Sequence, residues 1–228
     1  MGTELPKVLV PLCGQQMIRY ILDALSKVEI DRPIIVIGEN GKAIRETIGD
    51  AAIYAVQKEP RGSGDAVASA VGLIGNKADV LVMCGDSPLF KVETIQTLMS
   101  THRSQQATIT LAASILTDPF GYGRIVRDEA GNVSGIVEEK MATEEQKRLN
   151  EVNGGCYAFD ASWLKENIGR LAKNEAGEYC LTEMVDIALS QSKSVVTVQC
   201  GQEEIWGVNT PEQLDAAERV LKCRNSED

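Results

Sequence analysis

An acidic side chain follows a short apolar run near the middle of this sequence. Val80–Met83 contains no polar residue and ends at Cys84-Gly85, after which Asp86 stands as a lone carboxylate. Ligands of open α/β sheets bind outside the carboxyl ends of the strands, so Asp86 lies where an acid most simply holds a divalent cation. The alternative is that Asp86-Ser87-Pro88 only caps a helix, and position alone favours neither interpretation.

Two further positions offer polar groups close to predicted turns. Asn209 directly precedes a helix start, where its amide oxygen can complete an oxygen site for Mg²⁺ beside a carboxylate. Taken alone, Asn209 is only a helix-entry residue. Lys7 lies between Pro6 and Pro11, and these prolines exclude a helix and predict an extended loop.

A glycine-rich turn, Gly62-Ser-Gly64, follows a predicted strand and opens a predicted helix. Its backbone N–H groups can receive an anion or a base edge, although most such turns merely cap helices. It is neither a Walker loop nor a dinucleotide fingerprint, because Gly-Lys-Ser/Thr is missing and Val67 replaces the third small residue. Glu138 could bind a polar ligand, although a solvated strand end is the favoured interpretation. Asn153-Gly-Gly155 allows a tight backbone approach, and it would also serve any bend.

Composition excludes several classes of function. The formal charge of −10 argues against non-specific nucleic-acid binding, and no apolar run or leader indicates membrane insertion. The six cysteines form no Cys-x-x-Cys pair, which predicts reduced thiols in a cytoplasmic protein. The only histidine, His102, lies in a polar segment that predicts an exposed helix end, so a histidine base is nearly excluded.

The elements that must position these residues alternate between strand and helix over the first half of the chain. Strands are predicted at 33–38, 52–57, 79–83 and 108–115, and helices at 17–25, 41–48, 65–74 and 92–102. This alternation predicts parallel pairing in a doubly wound sheet, with the 79–83 strand buried on both faces.

The alternation of strand and helix ends in the second half of the chain. Residues 123–140 predict an antiparallel hairpin about a turn at 129–132. A strand at 154–159, helices at 162–171 and 181–190, and a strand at 195–199 follow. The last helix begins at Thr210-Pro-Glu-Gln213, a capping box with proline at the first helical position. No repeat or linker interrupts the chain, so residues 1–228 predict a single domain.

A series of segments occurs in an order that resembles the sugar-phosphate nucleotidyltransferases, over essentially the whole chain. They are Leu5-Pro-Lys-Val-Leu9, Gln57…Gly62-Ser-Gly64, Gly85-Asp86, Gly121-Tyr-Gly-Arg-Ile125, Gly135-Ile-Val-Glu138, Glu151-Val-Asn153, Gly177-Glu-Tyr-Cys-Leu-Thr182 and Gly207-Val-Asn209. The resemblance is greatest to the uridylyltransferase domains of bacterial bifunctional uridylyltransferase/acetyltransferases. It implies a Rossmann-like, mostly parallel sheet of the nucleotide-diphospho-sugar transferase type with an antiparallel hairpin insertion.

The resemblance also implies a reaction. UTP and N-acetylglucosamine 1-phosphate would give UDP-N-acetylglucosamine and pyrophosphate, with Mg²⁺ as cofactor. The nucleophile is a phosphate oxygen that is anionic at neutral pH, so positioning and charge neutralisation suffice without a general base.

Matched by motif, the family's residue roles fall on the following positions. Lys7 would contact phosphates, and Asp86 and Asn209 would hold Mg²⁺. Residues that would read the uracil are Gln57, Gly62 and Ser63. Residues that would line the sugar pocket are Gly123, Glu138, Asn153, Tyr179 and Thr182. Gly85 and Cys84 would lie beside the substrates, Cys84 at a position where the most similar relatives carry an aromatic residue.

Departures from the family pattern set further expectations. Members usually begin with a central apolar strand and a Gly-rich loop before the segment that matches Leu5-Pro-Lys7. Here that strand and loop are expected to be missing, leaving two neighbouring strands without a partner, and no acetyltransferase β-helix is expected. Two alternatives remain open: nucleotidyl transfer to another sugar phosphate or cofactor precursor, and a catalytically silent relative that binds a nucleotide sugar or a protein.

Overall fold

The computed structural model describes residues 5–224 as helices packed on β-sheet. The helices are α1 Met17–Lys27, α2 Lys42–Ile48, α3 Ser63–Ala70, α4 Val92–Ser104, α5 Ala161–Asn167, α6 Glu183–Ser190 and α7 Pro211–Arg224. The strands are β1 Pro11–Leu12, β2 Gln15–Gln16, β3 Ile34–Gly38, β4 Ile53–Gln57, β5 Asp79–Met83, β6 Ile109–Ile115, β7 Arg124–Arg127, β8 Val133–Val137, β9 Glu151–Asp160 and β10 Val195–Gln199. No helix among the described residues is both long and apolar enough to cross a membrane.

Strand β9 organises the main sheet because it has neighbours on both edges. On one edge it pairs antiparallel with β6, and on the other with β5 and, at Val152, with β7. The sheet order is β10-β6-β9-β7-β8, with β5 joined to β9. The predicted hairpin is confirmed as β7 and β8, and β10 pairs parallel with β6.

The alternation of side chains along the strands builds a core on each face of this sheet. Leu111 and Tyr157 pack with Leu164 of α5 and with α6 on one face. Their neighbours Ala112 and Ala158 pack against α4 on the other face. Helices therefore cover both faces, which confirms the doubly wound α/β class.

Strand β5 differs from expectation in its pairing. Within residues 5–224 it pairs with β9 alone, and it does so antiparallel. Each of its residues is half-buried rather than buried on both faces. Strands β3 and β4 form a separate parallel pair. The prediction of a strand at 79–83 is thus confirmed, whereas its parallel pairing is wrong.

Two local predictions are also wrong. Lys7–Leu9 forms a single 3₁₀ turn rather than an extended loop, because Pro6 precedes the turn and its carbonyl accepts the Leu9 N–H at 2.8 Å. His102 is not exposed: it is 2% accessible, and its Nδ1 lies 3.0 Å from the Thr110 hydroxyl of β6. Burial lowers the pKa of His102.

Several predicted helix bounds also shift. The helix predicted over 65–74 begins at Ser63 and gives way to a 3₁₀ turn after Ala70, and the one predicted over 162–171 ends at Asn167.

Candidate active site

Lys7, Asp86 and Asn209 meet at one point although they are far apart in sequence. The Lys7 Nζ lies 2.5 Å from Asp86 Oδ2 and 2.7 Å from Asn209 Oδ1. The Lys7 side chain is 38% accessible and the Asp86 side chain 24%, so the group opens to solvent. Two oxygens from distant loops therefore converge on one position that a cation occupies.

Backbone contacts fix the loops that carry these groups. The Val208 N–H donates to the Asp86 carbonyl at 2.8 Å, which holds the segment before α7 against the end of β5. Gln213 Oε1 accepts the N–H groups of Asn209 at 2.7 Å and of Thr210 at 3.0 Å. The predicted capping box at Thr210 is confirmed, and it fixes Asn209 as well as the helix start.

The donor set fits a hard divalent cation that keeps part of its water shell. A carboxylate and an amide oxygen point at a single position, and Mg²⁺ is commonly bound through one or two carboxylates together with substrate phosphates. No cluster of three or more His, Cys, Asp or Glu side chains suited to a metal occurs among the residues that the structure describes. Two protein oxygens would leave the other coordination positions of such an ion to water or to a bound ligand.

A second group surrounds the turn after β4. Gln57 Nε2 donates to the Gly62 carbonyl at 3.2 Å and to Asp65 Oδ2 at 2.8 Å, which closes the turn on itself. Arg61 also pairs with Asp65, at 2.8 Å. The hydrogen bond from Gln57, together with Arg61, lowers the pKa of Asp65.

The segment 179–182 lies directly on this turn. The Tyr179 N–H donates to the Arg61 carbonyl and the Gly64 N–H donates to the Tyr179 carbonyl, both at 2.8 Å. Gly62 has φ +103°, and a Cβ there would stand 2.5 Å from the Tyr179 oxygen. Glycine is thus required at position 62 both by its backbone angle and by the close approach.

Glu138 and Thr182 form the next contact along the site. The Thr182 hydroxyl donates to Glu138 Oε1 at 2.7 Å, and Thr182 is 6% accessible. A Cβ on Gly123 would stand 3.5 Å from Glu138 Oε2. The Gly123 carbonyl in turn accepts the Asn153 N–H at 2.9 Å, so β7 and β9 bring these predicted residues together.

Asn153 and Cys84 connect this group to the cation position. Asn153 Nδ2 donates to the buried Tyr157 hydroxyl at 2.5 Å, and Asn153 Oδ1 accepts the Gly155 N–H at 3.1 Å. The Cys84 thiol contacts the Gly155 carbonyl at 3.8 Å. Part of Cys84 is exposed to solvent, but its thiol is desolvated. This desolvation, and to a lesser extent the negative charge of Asp86, raises the pKa of the thiol to about 11. The thiol is therefore protonated at neutral pH.

Gly85 lies between Cys84 and Asp86, next to the turn that carries Lys7. A Cβ at position 85 would stand 3.4 Å from Val8 Cγ1. The structure thus links the residues selected from sequence into two groups, the glycine turn with 179–182, and the ends of β5, β7 and β9 with Lys7 and Asn209. Their substrate roles remain predictions.

Sequence reasoning assigned no role to Asp65 and Arg124, two residues that support the site. Asp65 binds Gln57, and Arg124 is 1% accessible and pairs with Glu139 at 2.6 Å. Hydrogen bonding from Arg124 lowers the pKa of Glu139. Arg124 stands inside the quoted Gly121–Ile125 segment, and an arginine within a short apolar strand was the signal for a buried ion pair.

Comparisons with known proteins identify a family for this arrangement. The model of the nucleotidyl transferase family matches residues 1–207. "Bifunctional protein GlmU" of Heliobacterium modesticaldum is 42% identical in an alignment of 228 positions that covers 98% of this chain and 50% of that protein. The protein of the same name from Caldanaerobacter subterraneus subsp. tengcongensis is 38% identical, over 100% of this chain and 50% of its own. The chain spans about half the length of these relatives.

Solved structures share the fold at low sequence identity. An apo UDP-glucose pyrophosphorylase superposes with a TM-score of 0.79 at 16% identity, covering 97% of this chain and 92% of the other. A putative glucose-1-phosphate thymidylyltransferase from Bacillus anthracis, crystallised with sucrose, gives a TM-score of 0.80 at 19% identity, covering 95% and 86%. These structures place the chain in the nucleotide-diphospho-sugar transferase fold.

Proposed function

Since the chain belongs to the nucleotidyl transferase family, we propose that it transfers a uridylyl group from UTP to N-acetylglucosamine 1-phosphate. The products are UDP-N-acetylglucosamine and pyrophosphate. Support for this choice of substrates comes from the identity to the GlmU proteins over the whole chain. A structural neighbour that was crystallised with UDP-glucose supports a uridine nucleotide sugar as the product class.

The observation that carries the proposal is the convergence of Asp86 and Asn209 on a cation position held by Lys7. Asp86 Oδ2 and Asn209 Oδ1 would hold Mg²⁺. When bound, the ion would offset the charge that develops on the phosphate oxygens as the α-phosphorus of UTP is attacked. Lys7 would then be free to contact phosphate oxygens, because an ammonium and a divalent ion compete for the same two oxygens.

The reaction itself asks little acid–base chemistry of the protein. An oxygen of the sugar phosphate forms a bond to the α-phosphorus of UTP, and the bond from that phosphorus to the bridging oxygen breaks. Pyrophosphate leaves with the electron pair. The nucleophile is already anionic, so no side chain has to remove a proton. His102 is consistent with this, since it contacts Asp79 at the start of β5, whereas Asp86 follows its end.

The glycine turn would bind the uracil of the nucleotide, and the 179–182 segment would bind the sugar. Gln57 ends β4, and Gly62 and Ser63 belong to the turn that follows, where the uracil would lie. Glu138 and Thr182 would hold sugar hydroxyls, since their hydrogen bond presents a carboxylate and a hydroxyl at one place. Positioning of this kind supplies most of the catalytic effect in phosphoryl transfer.

The test is pyrophosphate release from UTP and N-acetylglucosamine 1-phosphate in the presence of Mg²⁺. We expect turnover by the wild-type chain and a fall in kcat/KM of about 100-fold or more for Asp86→Asn. Asp215→Asn is the matched control, because Asp215 is an exposed carboxylate on α7 outside the site.

A panel of other nucleoside triphosphates and acceptor phosphates decides the substrate pair. Faster turnover of another pair would replace the proposed substrates. Binding of UDP-N-acetylglucosamine in calorimetry without turnover of any pair would overturn the proposal in favour of a catalytically silent relative.

A further inference from the structure

Ser63 carries a hydroxyl that accepts a hydrogen bond from within the protein, in addition to any contact that its motif predicts with the uracil. Its Oγ accepts the N–H of Leu181 at 3.1 Å, although the two residues are 118 positions apart. The hydroxyl is therefore engaged with the segment that leads to Thr182. We propose that Ser63 is a positioning residue that holds the 179–182 segment and thereby couples the nucleotide turn to the sugar side of the site.

Backbone hydrogen bonds extend this contact into a clasp, which we define as residues 61–64 and 179–181. Both backbone groups of Tyr179 are used, its N–H by the Arg61 carbonyl and its carbonyl by the Gly64 N–H, each at 2.8 Å. The Leu181 N–H on Ser63 adds a third hydrogen bond between the same two segments. The two segments therefore cannot separate without losing all three hydrogen bonds together.

The two segments of the clasp approach each other closely at Gly64. A Cβ on Gly64 would stand 2.4 Å from Leu171 Cδ1 and 3.0 Å from the Tyr179 oxygen. The Arg61 guanidinium lies 5.8 Å from the centre of the Tyr179 ring, and Lys173 Nζ lies 5.8 Å from the same centre. Both cations lie within range of the ring face. Backbone and side-chain contacts therefore both join the two segments of the clasp.

Each end of the clasp reaches one of the predicted substrate groups. On the nucleotide side, Gln57 Nε2 holds the Gly62 carbonyl at 3.2 Å. On the sugar side, Leu181 is followed by Thr182, whose hydroxyl donates to Glu138 Oε1 at 2.7 Å. Displacement of the turn by a nucleotide thus changes the position of Thr182 and Glu138, and a sugar phosphate acts back on the turn. Such coupling is reciprocal in binding free energy.

The coupling rests on the proposed function, so its kinetic test compares the two substrates. If Ser63 contacts only the base, Ser63→Ala raises the KM for UTP alone. If it acts through Leu181, Ser63→Ala raises the KM for the sugar phosphate by roughly 3- to 10-fold, the value of one hydrogen bond. Because the coupling is reciprocal, the KM for UTP measured at saturating sugar phosphate then rises by a similar factor. Ser63→Thr keeps the hydroxyl and restores the wild-type KM.

A double-mutant cycle tests whether Ser63 and Thr182 act in one unit. Thr182→Val removes the hydroxyl bonded to Glu138 and keeps the shape of the side chain. In one unit the effects of Ser63→Ala and Thr182→Val on the KM for the sugar phosphate are less than multiplicative. Multiplicative effects, or a rise only in the KM for UTP, overturn the proposal.

Hydrogen exchange on the full chain gives a readout that needs no substrate. We expect Ser63→Ala to speed exchange in peptides over 177–182, and Thr182→Val to speed exchange in peptides over 57–64, with Ser63→Thr like wild type. Exchange that changes only on the side of each substitution overturns the clasp. If the wild-type chain turns over no substrate, the proposed function fails, and exchange still decides whether the two segments open together.

Discussion

Replacement of Lys7 by methionine separates a structural role of this residue from a role in phosphate chemistry. Methionine keeps an unbranched apolar stem and removes the ammonium that lies 2.5 Å from Asp86 and 2.7 Å from Asn209. Because the Lys7 and Asp86 side chains are 38% and 24% accessible, the ion pair contributes only about 0–1 kcal/mol to the free energy of unfolding. For a chain of this length the melting temperature should fall by no more than about 4 °C.

The effect on turnover is expected to be far larger. A cation beside the transferring phosphate acts where charge develops, and loss of one such group typically lowers kcat by about 10²–10³-fold. Removal of the ammonium also leaves the oxygens of Asp86 and Asn209 without their cation. We therefore expect the affinity for Mn²⁺, measured by electron paramagnetic resonance without nucleotide, to rise by about 2- to 5-fold, since the competing ion pair is lost.

Pyrophosphate release, thermal unfolding and Mn²⁺ titration together distinguish a structural role of Lys7 from a role in phosphate chemistry. Lys222→Met is the control, because Lys222 forms a similar ion pair with Glu218 at 2.8 Å on the surface of α7. It should change none of the three measurements appreciably. A Lys7→Met variant that melts far below wild type while keeping its kcat would show that Lys7 is structural. A fall in Mn²⁺ affinity would refute a shared cation position.

Two further substitutions test the glycine turn and the buried histidine. Gly62→Ala should lower kcat/KM at least 10-fold, because the new Cβ would meet the Tyr179 carbonyl oxygen at 2.5 Å. Gly49 also has a positive φ but has open space around it, so Gly49→Ala should keep activity. Equal losses for the two variants in steady-state assays would contradict this. Burial lowers the pKa of His102 below its ordinary 6.5, so the unfolded chain binds the proton more readily, and stability present above pH 6.5 is lost as the pH falls towards the folded pKa. His102→Gln should flatten the melting temperature between pH 7 and pH 5, and an unchanged slope would assign that dependence to other groups.

Elements that depend on local signals could be predicted from the sequence. The apolar spacing from Met17 to Leu25 gave α1, which spans Met17–Lys27. Thr210 and Gln213 form the expected capping box at the start of α7. The hairpin of β7 and β8 was found from its turn. In each case the residues that determine the element lie within a few positions of one another.

Strand pairing and burial could not be predicted because they depend on distant partners. Strand β5 reads as apolar in isolation, but its neighbour β9 begins at Glu151, far along the chain, and runs antiparallel. His102 lies among polar residues in the sequence, yet its ring is buried and its two nitrogens contact Thr110 of β6 and Asp79 of β5. Neither contact can be predicted from the residues adjacent to His102 in the sequence.

In the candidate site, too, local features could be predicted from the sequence and distant contacts could not. Motifs selected residues that the structure brings together, such as Asp86 with Asn209, because the ends of strands and helix starts are local features. What each side chain contacts could not be read from the motifs. Ser63 bonds Leu181 and Gln57 bonds Asp65, and both contacts use hydrogen-bonding groups that the motifs would give to the substrate.

The chain is acidic, although its proposed substrates are anions. A net charge of −10 opposes the approach of a nucleoside triphosphate, yet such repulsion is screened beyond about 8 Å at physiological ionic strength. Within that distance, position matters more than the total. Lys7 is held at the convergence of Asp86 and Asn209, and Arg61 and Lys173 lie beside Tyr179. Cations therefore stand next to both proposed substrate groups, but Lys7 pairs there with Asp86 and Arg61 with Asp65. The excess positive charge that a triphosphate requires would come from bound Mg²⁺.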